Sequence, residues 1–214
     1  MPRLMPQFGL SFTQRVREAL SLVEGAELAR NQAEPGTPVR RAFHAYRLEF
    51  LYEIAFLRVF TAWETFLEET FYRYLCGCFC RGVQAPLAAA QYYSTNLADA
   101  ESRVLGGGQF VLWHNPAKVI QRSARFFKLG PHEAVVGSYQ TQLDYLASIR
   151  HRIAHEHMNA KVNFNNASVQ LSGRRYRGAR AGSFLRDFNT TKTPVERWLV
   201  TLSTDLASVA GQLA

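Results

Sequence analysis

The chain has 214 residues, enough for one packed domain, alone or with an appended arm. Its hydrophobic fraction of 47% excludes an intrinsically disordered chain. A net charge of +8 points to a polyanionic partner, nucleic acid before an anionic membrane surface, or with equal weight to a basic soluble protein with no such partner.

No signal-peptide pattern opens the chain, because Arg3, Arg15 and Arg17 flank no long apolar run. The first helix is expected over 12–31, with Ser11 and Gln14 as a capping box and Val16, Leu20 and Val23 at helical spacing. The Pro35-Gly36 turn then breaks it. A long helix is expected over 41–78. Its apolar stripe runs through Phe43, Tyr46, Phe50, Ile54, Leu57, Thr61, Glu64, Phe71 and Leu75, and Leu51, Phe56, Trp63 and Phe66 widen it toward a central position. Its most apolar stretch, 48–60, is interrupted by Glu49, Glu53 and Arg58, which excludes a membrane span of about 20 apolar residues. At its end stand Cys76, Cys78 and Cys80, an odd number at alternate spacing. That suits small helix-end residues in a reducing, cytoplasmic compartment better than a disulfide framework or a zinc knuckle.

A third helix is expected over 86–104, ended by Gly106-Gly107-Gly108, a flexible loop without the Gly-Lys-Ser/Thr of a phosphate-binding loop. Asn115-Pro116 reads as an N-cap followed by proline at the first helical position, opening a short helix with Lys118, Arg122, Arg125 and Lys128 as a basic face. The next helix is expected from Pro131 through Ile153, with Val135, Tyr139, Leu143, Leu146 and Ile153 on one side. After His157 a small hairpin is expected, from 162–164 and 168–171 around Asn165-Asn166. A basic arm follows. In it Arg174, Arg175, Arg177 and Arg180 suit phosphates and Tyr176 suits a base, although a solvated loop is the usual fate of such a run. Thr193-Pro194-Val195-Glu196 reads as a capping box opening the C-terminal helix, at about 193–213.

The segment Arg150-His151-Arg152-Ile153-Ala154-His155 carries the functional reading. Five residues on a straight helix separate Arg150 and His155 by about 140° around the axis and about 7.5 Å along it. One straight helix therefore cannot focus both on one phosphate. Either the helix deforms near its end or a second copy of the chain completes the site. Arginine offers paired donors to a phosphate, and imidazole moves protons near neutral pH.

An arginine followed by a polar residue, with a histidine five positions on, resembles the R-x4-6-H motif of HEPN-domain ribonucleases. The helix containing Ala62-Trp63-Glu64-Thr65-Phe66-Leu67-Glu68 is similar to the second core helix of the RiboL-PSP branch. The resemblance covers about 41–159. It implies an all-α HEPN-like bundle with a long central helix and a small hairpin before the C-terminal helix. Its extent would be a single domain over 1–214, with its core at about 11–159 and the hairpin and arm at about 160–187. It implies a homodimer with its active site at the subunit interface, metal-independent endoribonuclease activity without a cofactor, and a role as toxin or abortive-infection effector with an antitoxin or other defence-system partner. Arg150 and His155 occupy the motif's catalytic positions, and His151 its polar position. Where some branches carry tyrosine two residues after the histidine, this chain has His157. Glu64, inside the apolar stripe, is assigned to orient Arg150, or else is a surface carboxylate beside Glu68. Two other readings stay open. His151, His155 and His157 are weighed as metal ligands, but the H-E-x-x-H pattern is absent. A HEPN-like module that binds RNA or protein without cutting is the second.

Overall fold

The computed structural model describes residues 3–80, 87–88 and 92–214. The chain is mostly helical, with ten α-helices and three two-stranded pairings among the described residues. It divides into two compact units, one gathering Met1–Thr13, Ala62–Asp144 and Ala207–Ala214, the other Gln14–Thr61 and Tyr145–Leu206. Four helices pass from one unit into the other: α1 (Phe8–Gln32), α3 (Ala45–Leu75), α7 (Gln140–Ala154) and α10 (Trp198–Leu213). Between α1 and α3 lies the short α2 (Pro38–Ala42), opened by Thr37, whose hydroxyl accepts the Arg40 amide at 3.3 Å. No described helix is long and apolar enough to cross a membrane.

In the first unit, β1 (Arg3–Leu4) pairs in parallel with β2 (Cys78–Phe79) just after α3 ends. Phe12, Trp63 and Phe66 form one aromatic cluster, with ring centroids 5.7 to 6.1 Å apart. Phe71 centres a second one, meeting Trp113, Phe126, Phe127 and His132 at 5.0 to 5.9 Å. Helix α4 (Leu97–Leu105) starts at the Asn96 cap and stops at left-handed Gly106. The helix expected over 86–104 therefore begins late. Leu87–Ala88 is instead β3, antiparallel to β4 (Phe127–Lys128), while 86 and 89–91 lie outside the described residues. Asn115 caps α5 (Pro116–Phe126) through its side-chain oxygen, as its Asn-Pro signature predicts. The face expected to be basic is partly committed. Arg122 lies over the Trp113 ring at 4.9 Å and Arg125 over Phe126 at 5.7 Å. The single helix expected over 131–153 is broken at Tyr139 into α6 (Pro131–Ser138) and α7.

In the second unit, Phe184 meets Phe164, Tyr176 and Trp198 at 5.3 to 6.1 Å. Buried Glu27 takes two donors from Arg186, at 2.7 and 3.2 Å, and the Tyr52 hydroxyl at 3.3 Å, with Arg197 3.4 Å away. This satisfies a carboxylate that would otherwise be costly to bury. The hairpin expected over 162–171 is not there: Met158–Ser172 is helix α8. Ala160, Phe164, Ala167 and Ser168 are its buried face, a helical spacing of four, three and one. Gly173, left-handed at φ 74°, ends it. The strands nearest the expected position are β5 (Phe188–Asn189) and β6 (Glu196–Arg197), after α9 (Ala181–Arg186). That pairing also overrides the expected capping box. Glu196 belongs to a strand, its carboxylate accepts the Thr201 hydroxyl at 2.8 Å, and α10 begins at Trp198.

The stripe expected on the long helix α3 is buried at Phe71 and Leu75 but not at its N-terminal end, where a different face turns inward. Leu48, Tyr52, Ala55, Phe56, Val59 and Trp63 are buried, whereas Tyr46 and Phe50 are 67% and 58% exposed. The helix is apolar over so much of its circumference that spacing alone does not fix its rotation.

Candidate functional site

Helix α7 ends at Ala154, one residue before His155. Leu146 and Ile149 anchor it within the second unit, fully buried. The His155 amide still donates to the His151 carbonyl at 2.9 Å, so the helical hydrogen-bond ladder reaches His155 before the chain leaves it. The chain then turns through Glu156 and re-enters helix α8, with His157 as N-cap. This corner gathers three imidazoles. The ring centroids of His151 and His155 are 4.5 Å apart, those of His151 and His157 5.0 Å, and those of His155 and His157 5.7 Å.

Their hydrogen bonds fix the tautomers. Ala160 N–H donates to His157 Nδ1 at 3.2 Å, so the proton of a neutral His157 ring sits on Nε2. The Nε2 atoms of His157 and His151 are 3.2 Å apart, so His157 donates and His151 accepts. Partial burial, followed by the neighbouring His155, His157 and Arg150 charges, pushes the His151 pKa below its ordinary value. His151 is thereby kept neutral where an isolated histidine would begin to charge. His155 and His157 are exposed, and Arg150 is half-buried. Arg152, next in the motif, holds the corner from below. Its Nε donates to the Ala179 carbonyl at 2.9 Å and one terminal nitrogen to the His155 carbonyl at 3.2 Å.

The other residues singled out in the sequence are distributed as follows. Glu64 belongs to the first unit, half-buried, with an oxygen 3.7 Å from His114 Nδ1, while Arg150 belongs to the second. The basic arm is folded rather than extended. Arg174 pairs with Asp187, and the Tyr176 hydroxyl donates to the same carboxylate at 2.7 Å. The Tyr176 ring is half-buried, 5.4 Å from Phe184. Arg180 pairs with Glu49, and Arg175 and Arg177 are exposed. Among the described residues, no group of three or more His, Cys, Asp or Glu side chains is arranged to hold a metal ion, so the three-histidine metal reading has no geometric support.

Arg152 was not singled out from the sequence, nor was a cleft beside it of about 170 Å3. Tyr46, Phe50 and Glu53 line it from α3, and Arg152 and Glu156 from the histidine corner. The available signal was Glu53 itself, a carboxylate interrupting an apolar run. No protein-family model matches the sequence, and no curated protein or solved structure matches the chain.

Proposed function

We propose that this protein is a metal-independent endoribonuclease whose chemistry is carried by Arg150 and the imidazoles of His155, His151 and His157. The observation that carries the reading is the three-ring cluster at the end of α7, with ring centroids 4.5 to 5.7 Å apart in the segment that also holds Arg150. Cleaving RNA without a metal needs an acceptor for the 2′-hydroxyl proton, a donor for the leaving 5′-oxygen and a cation for the phosphorane charge. An imidazole cluster beside an arginine contains all three.

In this mechanism neutral His155, exposed at the corner, takes the proton from the ribose 2′-hydroxyl. The 2′-oxygen attacks the adjacent phosphorus, and the bond from phosphorus to the 5′-oxygen breaks. The leaving 5′-oxygen takes the proton that His155 accepted, so the cluster ends the cleavage with the protons it started with. Arg150 meets the nonbridging oxygens as charge builds on them. Products are a 2′,3′-cyclic phosphate and a 5′-hydroxyl, and DNA, which lacks the nucleophile, is not a substrate. The resemblance of Arg150–His155 to the HEPN ribonuclease motif supports the same reading and extends it to a homodimer, a toxin or abortive-infection role, and restraint by an antitoxin or other defence-system partner.

The test is incubation of purified protein with RNA in excess chelator, followed by analysis of product ends. Cyclic phosphate ends are expected from the wild type, with a loss of about 10²- to 10⁴-fold in His155→Ala. Cleavage that survives in His155→Ala overturns the assignment. The second reading, a module that binds RNA without cutting it, is favoured by the exposed Arg175 and Arg177, and RNA binding with intact substrate would select it.

A further inference from the structure

The cleft beside the histidine corner is built from features that a phosphate site would not combine. Its charged lining is Glu49, Glu53 and Glu156 against Arg152 and Arg180, three carboxylates to two guanidiniums. An anion is therefore disfavoured, and with Arg180 paired to Glu49 the balance rests on Glu53 and Glu156 against Arg152. At about 170 Å3 the cleft holds far more than the single water that about 15 Å3 accommodates. One wall is aromatic and open to solvent. Phe50 is 58% and Tyr46 67% exposed, the latter with the Arg180 guanidinium 5.4 Å from its ring centroid.

Glu53 is held in a fixed orientation within this wall. Its Oε1 accepts the Gly182 amide at 2.8 Å, and Gly182 itself approaches α3 so closely that a Cβ there would stand 2.3 Å from the Glu49 carbonyl oxygen. A carboxylate only accepts hydrogen bonds, so its ligand must bring donors. Of the four RNA bases, only guanine presents two adjacent donors, N1–H and the N2 amine, on its pairing edge. Adenine and cytosine each offer one donor next to an acceptor, and uracil one donor between two acceptors. Sequence-specific RNA recognition uses this combination of an aromatic platform and a hydrogen-bonded base edge. The cleft is also tied to the candidate chemistry, because Arg152 lines it while holding the His155 carbonyl, and Glu156 directly follows His155.

We propose that this cleft is a guanine-binding subsite, with Phe50 and Tyr46 as the stacking wall and Glu53 reading the N1–H and N2 amine of the base. It deepens the ribonuclease reading, and rests on it for the substrate being RNA, by assigning a guanine preference to the nucleotide bound next to the scissile phosphate.

The experiment is calorimetric titration of the whole chain with the 3′-monophosphates of guanosine, inosine, adenosine, cytidine and uridine, and with N-acetyl-arginine amide as a stand-in for a basic protein segment. Guanosine monophosphate is expected to bind at least about 10-fold more tightly than the other standard nucleotides, with inosine between because it lacks the N2 amine. Glu53→Gln keeps an oxygen for the Gly182 amide and is expected to abolish the guanine preference. Phe50→Ala, at an exposed position, is expected to weaken all nucleotides alike. Equal binding of the five nucleotides, an unchanged guanine preference in Glu53→Gln, or tighter binding of the arginine amide overturns the subsite. Binding requires no cleavage, so His155→Ala should retain the guanine preference. Guanine-selective binding by a protein that cuts no RNA would sink the nuclease reading alone. Cleavage without guanine preference would sink the subsite alone.

Discussion

His132 and His155 place the same side chain in opposite surroundings. His132 is fully buried in the first unit, 5.2 Å from the Phe71 ring and 5.8 Å from Tyr74, with Thr70 Oγ1 3.0 Å from its Nε2. Burial drives its pKa down to about 3, against a smaller opposing pull from the backbone of Leu67. An unfolded chain would bind the proton near its ordinary value of 6.5, so the native state binds fewer protons between those values. The stability that neutral His132 contributes is therefore complete above about pH 6.5 and is lost as pH falls toward about 3. The loss is on the order of 3 kcal/mol by pH 4, at about 1.4 kcal/mol for each tenfold rise in proton concentration. Denaturant midpoints across this range should fall steeply for the wild type and less steeply for His132→Phe, which suits the aromatic surroundings. Equal acid slopes in the two proteins would remove His132 as the cause. Nothing in the sequence separated this histidine from the others. Gly130 and Pro131 precede it as they would in a surface turn, and its burial is set by Thr70 and Phe71, some sixty positions away. The arginine–histidine motif was legible, because its residue types and spacing lie within ten positions. The folding back of His157 onto His151 was not, because it depends on where α7 stops.

Helix α8 shows how a local signal can mislead at the scale of an element. Asn165-Asn166 between short apolar runs resembles a turn between strands, yet Phe164, Ala167 and Ser168 bury one helical face and Gly173 closes it. The cap at its start is His157, an uncommon choice whose Nδ1 accepts the Ala160 amide. His157→Ala should cost about 1 kcal/mol in a urea titration near neutral pH, and His157→Asn, a better cap, should recover it. Identical midpoints at neutral pH would show that the cap contributes nothing. Where sequence signals agreed with the packing, as in Asn115-Pro116 opening α5, the element came out as expected. Where the apolar residues covered too many faces, as in α3, the helix was legible but the buried side of its N-terminal end was not. That rotation is what leaves Tyr46 and Phe50 in the open.

For the molecule as a whole, the +8 charge fits a polyanionic partner and a merely basic protein equally well, and the folding of the basic arm narrows which cations are open to such a partner. Arg174 and Arg180 are engaged by Asp187 and Glu49, which leaves Arg175 and Arg177 exposed. If these two contact RNA phosphates, replacing both with alanine should lower the slope of log affinity against log salt by about 1.4, at about 0.7 per phosphate on a single strand. A slope unchanged in the double variant would place the RNA contact elsewhere. Helical content and the absence of a membrane-length apolar helix among the described residues were legible in composition and periodicity. The division into two units was not, since each is assembled from segments far apart in the chain.

The unit boundaries fall between Thr13 and Gln14, Thr61 and Ala62, Asp144 and Tyr145, and Leu206 and Ala207, all four inside continuous helices. Excising the histidine corner as a fragment would sever every one of them and strip up to four backbone donors or acceptors of their partners at each raw end. This corner is thus not a portable cassette: it can be inherited, expressed or transplanted only with the remainder of the polypeptide attached.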